Sequence, residues 1–592
     1  MTRHTPLISA LLSAAALVSG FLTTPVASAA PDTPELPWQA DHWPQHQPWQ
    51  DAHGGTARIQ AAAGLPGPID PQNWANPDNM TWADYLKVPG TNWVDPSKKG
   101  SMRTFRGALV LADYPNQQFV VTQPQGSSVF GNPTAEAHDI PRDQVAQFYQ
   151  DFLNKPQALN HGHTLHEYWM EDSGGRYGVE LTGFGPYTMP GKDHEYAMEF
   201  QAGTGCPAGD SCNRNICTDA RTAWVNAVGP EVPAGFDFVF YLSAGQDESL
   251  TWQEFGPIKF ENKEDVTDAF GPPDENLPNW VRTRYVEWTS WASGSSIWPN
   301  AGGGAVIYAH EFSHILGIGD NYNNPFAIPV RRAYTGIWEM LSRGSFNGPG
   351  GPHTRFLIPP TAGASMGAQH MLRNKIKLAM VDEQNVLRLS REALAQSGVV
   401  VATVTAREIN PAANQLSGIN IALGTGDLAP ACNVNTEPLC DGRGYQNYTV
   451  EVVDRMGSDS FTPDHGVLLA KTKDQDNAPF EWIVDANPQD IGMTDFVRPD
   501  GTHVPITIGD YRQLSDALFH AGTDSGSEFE YVDAANRLHF YVLNIQRDQQ
   551  GVLSYTVAIR SLTAPARSGA GCSSRPPPPG RTAAAWPTAR SR

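Results

Sequence analysis

The stretch Ala305-Val306-Ile307-Tyr308-Ala309-His310-Glu311-Phe312-Ser313-His314-Ile315-Leu316-Gly317-Ile318-Gly319-Asp320 sets two histidines four residues apart in an apolar segment, with a glutamate directly after the first. On a helix, residues four apart share a face, so His310 and His314 can aim both imidazoles at one cation. Glu311 then sits beside the remaining coordination position. Gly317 suits a left-handed turn that ends the helix and brings Asp320 back as a third ligand. Three protein ligands and one open position are the pattern of a catalytic metal site, whereas a structural zinc is usually closed by four. Zinc is the metal this pattern favours. Glu311 is the base that would take a proton from the attacking water, which points to amide hydrolysis. Two other readings compete. Two buried helix histidines would leave Glu311 and the Gly317/Asp320 extension unexplained. A non-haem iron facial triad needs no glutamate next to its first histidine.

Outward from this helix, the chain of 592 residues is long enough for three or four domains. Its formal charge of −21 excludes a general nucleic-acid binder. With 40% hydrophobic and 10% aromatic residues it has cores to build, and it is not a disordered polyanion. Arg3 and His4, the apolar run Leu7 to Leu22 and the small residues Val26 to Ala30 form the three parts of a secretory signal, with cleavage expected after Ala29. That run is broken by Ser13, Ser19 and Gly20, and no later segment offers 18 consecutive apolar residues. The mature protein is therefore expected to be secreted, extracellular and without stable membrane association. Of six cysteines, Cys432 and Cys440 enclose a short polar loop and are expected to pair. Cys206, Cys212 and Cys217 sit within twelve residues, and with Cys572 their pairing stays open.

The organisation reads as five parts: a signal peptide at 1–29, a propeptide or N-terminal extension at 30–102, a catalytic domain at 103–392, an all-β part at 393–565 and a disordered tail at 566–592. The extension is rich in Pro and Trp and ends near Lys98-Lys99-Gly100. The run Gly107 to Ala112 reads as a buried strand, residues 141–156 as a helix and Phe236 to Leu242 as a strand, which together give an α/β or α+β core. Beyond 392, β-type runs at Val399 to Val404, Tyr448 to Val453, Val467 to Ala470, Phe480 to Val484 and Leu538 to Leu543 predict a β-sandwich-like domain.

Several of these segments together resemble the immune inhibitor A family of secreted bacterial metallopeptidases. Besides the metal motif, Ala108 to Pro115 resembles the strand that opens that family's catalytic domain. Thr164 to Tyr177 is similar to its segment ending in Ser-x-Gly, Phe236 to Gly245 to the strand before its active-site helix, and Trp338 to Ser345 to its methionine turn. The resemblance covers roughly 103–392, with a weaker echo at Tyr448 to Val453 and Gly466 to Pro488. It implies a zincin/metzincin-like catalytic domain that cleaves proteins or peptides, with His310, His314 and Asp320 as zinc ligands, Glu311 as base and Met340 as apolar floor. Glu339 and Arg343 depart from the residues expected in such a turn. Glu339 competes with Asp320 as third ligand, and His353 is a remoter candidate. Tyr334 is read as structural.

The oxygen-rich loops Asp320 to Asn324 and Asp265 to Asn276 make calcium a second candidate metal, although neither has an EF-hand spacing. The expected partners are protein or peptide substrates, with no nucleic acid, for a monomer made as a zymogen. The alternative is a non-catalytic surface or carbohydrate-binding protein with a vestigial zincin domain.

Overall fold

A computed structural model describes residue 75 and residues 77–127, 133–196, 213–244, 305–323, 331–349, 366–437, 439–497, 503–505, 508, 511–521 and 529–563. The signal sequence, the first half of the extension, the C-terminal tail, Cys206, Cys212, Cys572, His353 and the loop Asp265 to Asn276 lie outside these residues.

Strand β1 (Arg103–Asp113) is buried without alternation from Gly107 onwards. It is the central strand of a three-stranded sheet, parallel to β2 (Tyr177–Thr188) on one side and to β3 (Phe238–Ser243) on the other. A parallel strand covered on both faces needs a continuous apolar run, which Ala108 to Ala112 supplies. Helices α1 (Val145–Asn154), α2 (Leu165–Asp172) and α3 (Ile216–Val228) pack against this sheet. The Thr164 hydroxyl caps α2 by accepting from the Glu167 N–H at 3.1 Å.

Helix α4 (Ala305–Ile315) carries the metal motif and is buried from Ala305 through Ser313. Such a helix must be apolar almost all round. Its Phe312 packs on Phe238, Trp169 and Phe105 at ring separations of 4.5, 4.9 and 5.0 Å, and its Tyr308 on Phe240 at 5.5 Å. These contacts fix the rotation of α4 and so the direction of its histidines.

After α5 (Leu372–Lys377) the described chain becomes β-rich, with the short helix α6 (Arg391–Ser397) and a few 3-10 turns interposed. One sheet has five strands: β4 (Val386–Ser390), β6 (Gly418–Ala422), β7 (Asn447–Val453), β8 (Gly466–Thr472) and β9 (Glu481–Ile483), in the order β4-β6-β7-β8-β9. A second has four: β12 (Glu530–Asp533), β13 (Leu538–Arg547), β14 (Leu553–Ser561) and β5 (Val399–Thr405), in the order β12-β13-β14-β5. A small hairpin, β10 (Thr494–Val497) with β11 (His503–Pro505), completes the strands. Both large sheets feed one apolar cluster through Ile419, Val450 and Leu469 on one side and Phe540, Tyr555 and Val557 on the other.

The five-stranded sheet also buries its opposite face. Val453, Leu468, Ala470 and Ile483 pack with Ala333, Ile337 and Trp338 from the turn that precedes Met340. This explains why β8 is buried at every position, where a strand with one wet face would alternate. Cys432 and Cys440 are bonded, with Cα atoms 5.7 Å apart. Among the described residues no helix is long and apolar enough to cross a membrane.

Candidate metal centre

Helix α4 ends in the turn that glycine allows. Gly317 has φ +96°, its N–H donates to His314 O at 2.9 Å, and the Ile318 N–H donates to Ser313 O at 3.1 Å. This pair of bonds is a Schellman cap, and a side chain at its left-handed position would be strained. The chain reverses there and returns Asp320 to the two histidines. His310 Nε2 and His314 Nε2 each lie 3.2 Å from Asp320 Oδ1, and the two nitrogens are 3.2 Å from each other. Among the described residues this is the one group of three metal-ligating side chains whose ligand atoms all lie within 4.8 Å of one another.

The second nitrogen of each ring is already committed. His310 Nδ1 lies 2.8 Å from Met340 O, and His314 Nδ1 lies 2.8 Å from Ile318 O. Because a carbonyl can only accept, both Nδ1 atoms carry hydrogen, and in neutral imidazoles both Nε2 atoms then present lone pairs. Three electron-rich atoms would face one another at 3.2 Å, an arrangement that a cation between them relieves. Asp320 adds weight to this, since neither of its buried oxygens has a hydrogen-bond donor. Burial disfavours charge on His314, but the adjacent Asp320 carboxylate outweighs it and lifts the pKa to about 9. Burial would raise Asp320, yet the two histidines hold it below the usual carboxylate range.

Glu311 is buried on the same helix, close enough to influence the charge state of both His314 and Tyr322. Met340 presents its carbonyl to His310, while its side chain is buried in the core that also holds Val306 and Phe312. At Gly367 (φ +75°) a Cβ would lie 2.0 Å from Val306 Cγ2 and 2.9 Å from Met340 Cε, so the 366–368 segment closes directly over α4 and this turn. A buried chain of polar contacts pins α4 from another side: Ser313 Oγ is 3.0 Å from His370 Nε2, and His370 Nδ1 is 2.5 Å from Asp172 Oδ2.

Glu339 lies apart from this group. Its fully buried carboxylate accepts from Leu341 N–H at 3.3 Å, from Asn374 Nδ2 at 3.0 Å and from Met371 N–H, so it closes the turn onto α5. Tyr334 packs with Tyr445 and Trp482. Arg343 stacks over Tyr322 at 4.8 Å. Tyr322 itself went unread in the sequence as a site residue: its hydroxyl is 3.4 Å from His310 Nε2. The signal was its place two residues after Asp320, masked by the asparagines around it. One of these, Asn321, donates to Glu481 O at 2.8 Å and accepts from Phe480 N–H at 2.9 Å, tying the loop to β9.

Comparison with known proteins agrees with this picture. Residues 274–362 match the family profile described as the immune inhibitor A peptidase M6 catalytic domain, and residues 377–562 match one described as a middle domain. A protein of Arthroderma benhamiae named "Putative secreted metallopeptidase" is 58% identical over 508 residues, covering 83% of this chain and 74% of its own length. The protein is secreted, as its leader led us to expect. With the motif, its geometry and this similarity in agreement, the chain belongs to the immune inhibitor A family of metallopeptidases.

Proposed function

We propose that the protein is a zinc-dependent endopeptidase, with His310, His314 and Asp320 as zinc ligands and Glu311 as general base. The observation that best supports this is the triangle of ligand atoms with 3.2 Å sides. Ligands of a tetrahedral zinc at 2.0–2.1 Å are separated by ~3.3 Å. The bound ion would supply Lewis acidity and a water acidic enough to ionise near neutral pH. The rest falls to the chain's own side chains. Glu311 takes the water's proton and returns it to the leaving amine. The carbonyls of Met340 and Ile318 hold both imidazoles in the tautomer that leaves Nε2 free, and Tyr322 offers a hydroxyl at the edge of the centre.

In this reading the fold is a metzincin-like catalytic unit followed by a sandwich-like β unit, and the substrates are proteins or peptides. Latency would come from the extension. The residues that could block the centre are His42, His46, Asp51, His53 and Asp95, or the tryptophans of the extension by bulk; Asp95 Oδ1 accepts from Ser97 N–H and Oγ at 2.9 and 2.7 Å.

The test is hydrolysis of casein by the wild type and by Glu311→Gln, with zinc content measured on the same samples. The variant should keep its zinc and lose ~10²- to 10⁴-fold in turnover. Wild-type turnover in a zinc-loaded variant would refute the assignment of Glu311. Undiminished casein hydrolysis by the wild type after chelation would refute zinc catalysis. A zinc-loaded wild type without hydrolysis would favour the non-catalytic alternative.

A further inference from the structure

Beyond β9 the chain runs from Val484 to Asn487 into a single 3-10 turn, Pro488–Asp490. The turn Tyr511–Leu514, with Ser515 and Asp516 after it, lies alongside, and the Ala486 N–H donates to Ala517 O at 3.1 Å. Three carboxylates come together here. Asn487 links Asp485 to Asp516, its N–H donating to Asp485 Oδ1 at 2.9 Å and its Nδ2 to Asp516 Oδ2 at 2.7 Å. Gln513 links Asp485 to Asp490, with Nε2 2.5 Å from Asp485 Oδ2 and 3.4 Å from Asp490 Oδ1.

These two amides do not satisfy the cluster. Asp490 Oδ2, Asp516 Oδ1 and Gln513 Oε1 are all buried without a hydrogen-bond donor. Gln513 is 0% and Asp490 1% exposed. The Gln513 oxygen is an indication separate from the acidic residues: it belongs to a neutral amide whose nitrogen faces Asp485 and Asp490, and it is buried there without a donor. Buried acceptors left in this state are rare in folded proteins and call for an ion or a proton.

The nearby positive charge is insufficient. Arg332 is buried and acts electrostatically on Asp485, but its guanidinium donates to the backbone carbonyls of Ala333, Tyr334 and Ile483 and lies over the Trp482 ring. Asp464, whose charge also reaches Asp516, is paired with His520 at 2.8 Å. Among the described residues one cation therefore faces three carboxylates, an imbalance of two charges. Burial, and then repulsion within the cluster, holds Asp490 and Asp516 well above the usual carboxylate range while no ion is present.

We propose that Asp485, Asp490, Asp516 and the Gln513 side-chain oxygen form a calcium site, separate from the His310 centre, that clamps the segment after β9 to the segment 511–516. The donors are all oxygens, which suits a hard cation. Carboxylate and amide oxygens without nitrogen or sulfur ligands are the donors calcium takes, whereas zinc favours nitrogen and sulfur. The clamp would steady β9, whose ends hold Asn321 beside Asp320 and donate the Ile483 N–H to Tyr334 O at 3.0 Å.

The test compares zinc-loaded full-length secreted protein with its Asp490→Asn/Asp516→Asn variant. Calcium is counted per chain after gel filtration in calcium-containing buffer, and Tm is measured with and without calcium at constant zinc. The wild type should hold one calcium more than the variant. Added calcium should raise the wild-type Tm by more than it raises the variant's, and without calcium the variant should be at least as stable, because neutral amides end the repulsion. Equal calcium counts in the two folded proteins would overturn the site. Should the double variant not fold, the single variant Gln513→Ala decides by the same calcium count: one calcium fewer than the wild type supports the site, and an equal count overturns it.

Discussion

Arg407 Nη2 donates to the backbone carbonyl of Trp338 at 3.1 Å, two residues before the carbonyl of Met340 that orients His310. The same guanidinium is held by both oxygens of Asp459, at 2.8 and 2.9 Å, and by Glu451 of β7 at 2.9 Å. All three side chains are 2% exposed or less. A methionine at position 407 would leave two carboxylates buried without their counterion, which costs about 3–5 kcal/mol when one partner of such a pair is removed. That is a large share of a typical 5–15 kcal/mol stability. Arg407→Met should therefore lower the yield of secreted protein and the denaturant midpoint. An unfolding free energy within about 0.5 kcal/mol of the wild type would show that Arg407 does not hold the turn.

Asp320 and Glu339 should separate cleanly. Asp320→Ala removes an atom from the 3.2 Å triangle and should leave the purified protein with little or no zinc. Glu339→Gln should keep zinc at wild-type stoichiometry, because its carboxylate serves Leu341, Met371 and Asn374 instead. It should lower stability by about 1–3 kcal/mol, since an amide nitrogen would now face a buried N–H. Metal analysis of the two variants decides, and the reverse pattern would transfer the third-ligand role to Glu339.

Glu171 gives a dependence on pH with a definite sign. It is buried at the end of α2, where Ser458 N–H and Oγ and Gln369 Nε2 donate to its Oε1, yet burial outweighs them and sets its pKa at about 7 against 4.5 for the free side chain. Its contribution to stability is complete below pH 4.5 and is lost as pH rises through 7. Glu171→Gln retains the acceptor oxygen and removes that titration. Above pH 7 the variant should gain up to about 3 kcal/mol on the wild type, converting the shift at 1.36 kcal/mol per unit, and the gain should vanish near pH 4.5. A difference in unfolding free energy that stays constant from pH 4.5 to 8 would contradict this.

The grouping of His310, His314 and Asp320 was legible because its determinants are local: a four-residue spacing on one helix, a glycine that turns left-handed, and an aspartate three residues further on. β1 was legible for a similar reason, since a strand buried on both faces reads as an unbroken apolar run. Glu339 looked like a rival ligand because the partners that occupy it, Met371 and Asn374, are 32 and 35 residues away. The second buried face of β8 was hidden likewise, because a run such as Val467 to Ala470 does not say which surface covers it. The orphaned oxygens of Asp490, Asp516 and Gln513 emerge only when two distant turns are brought together.

The last prediction concerns the N-terminal extension, whose described part is built into the fold. Trp82 stacks on His161 at 4.2 Å and on His163 at 5.4 Å and meets the edge of Phe461, while Met80 is buried with Met366 and Phe461. Leu86 exchanges backbone bonds with Ser460 Oγ and Gly457 N–H, and Gly175 approaches the Trp93 ring so closely that a Cβ there would lie 2.7 Å from it. These contacts fall on 161–175, Met366 and 457–461, and none of them is made to His310, His314 or Asp320. Removing everything before Ser101 should thus strip an apolar cluster and lower Tm, and Trp82→Ala alone should cost about 1–2 kcal/mol through its ring contacts. We propose that latency resides in residues 30–73, so removing these alone should raise peptidase activity while it keeps the Trp82 and Met80 contacts in place. Protein starting at Ala30, near Ala75 and at Ser101 can be compared by thermal unfolding and by hydrolysis of a short peptide. Equal Tm for the Ala75 and Ser101 forms would show that residues 77–100 are a removable leader, and equal activity of the Ala30 and Ala75 forms would dismiss latency in the extension.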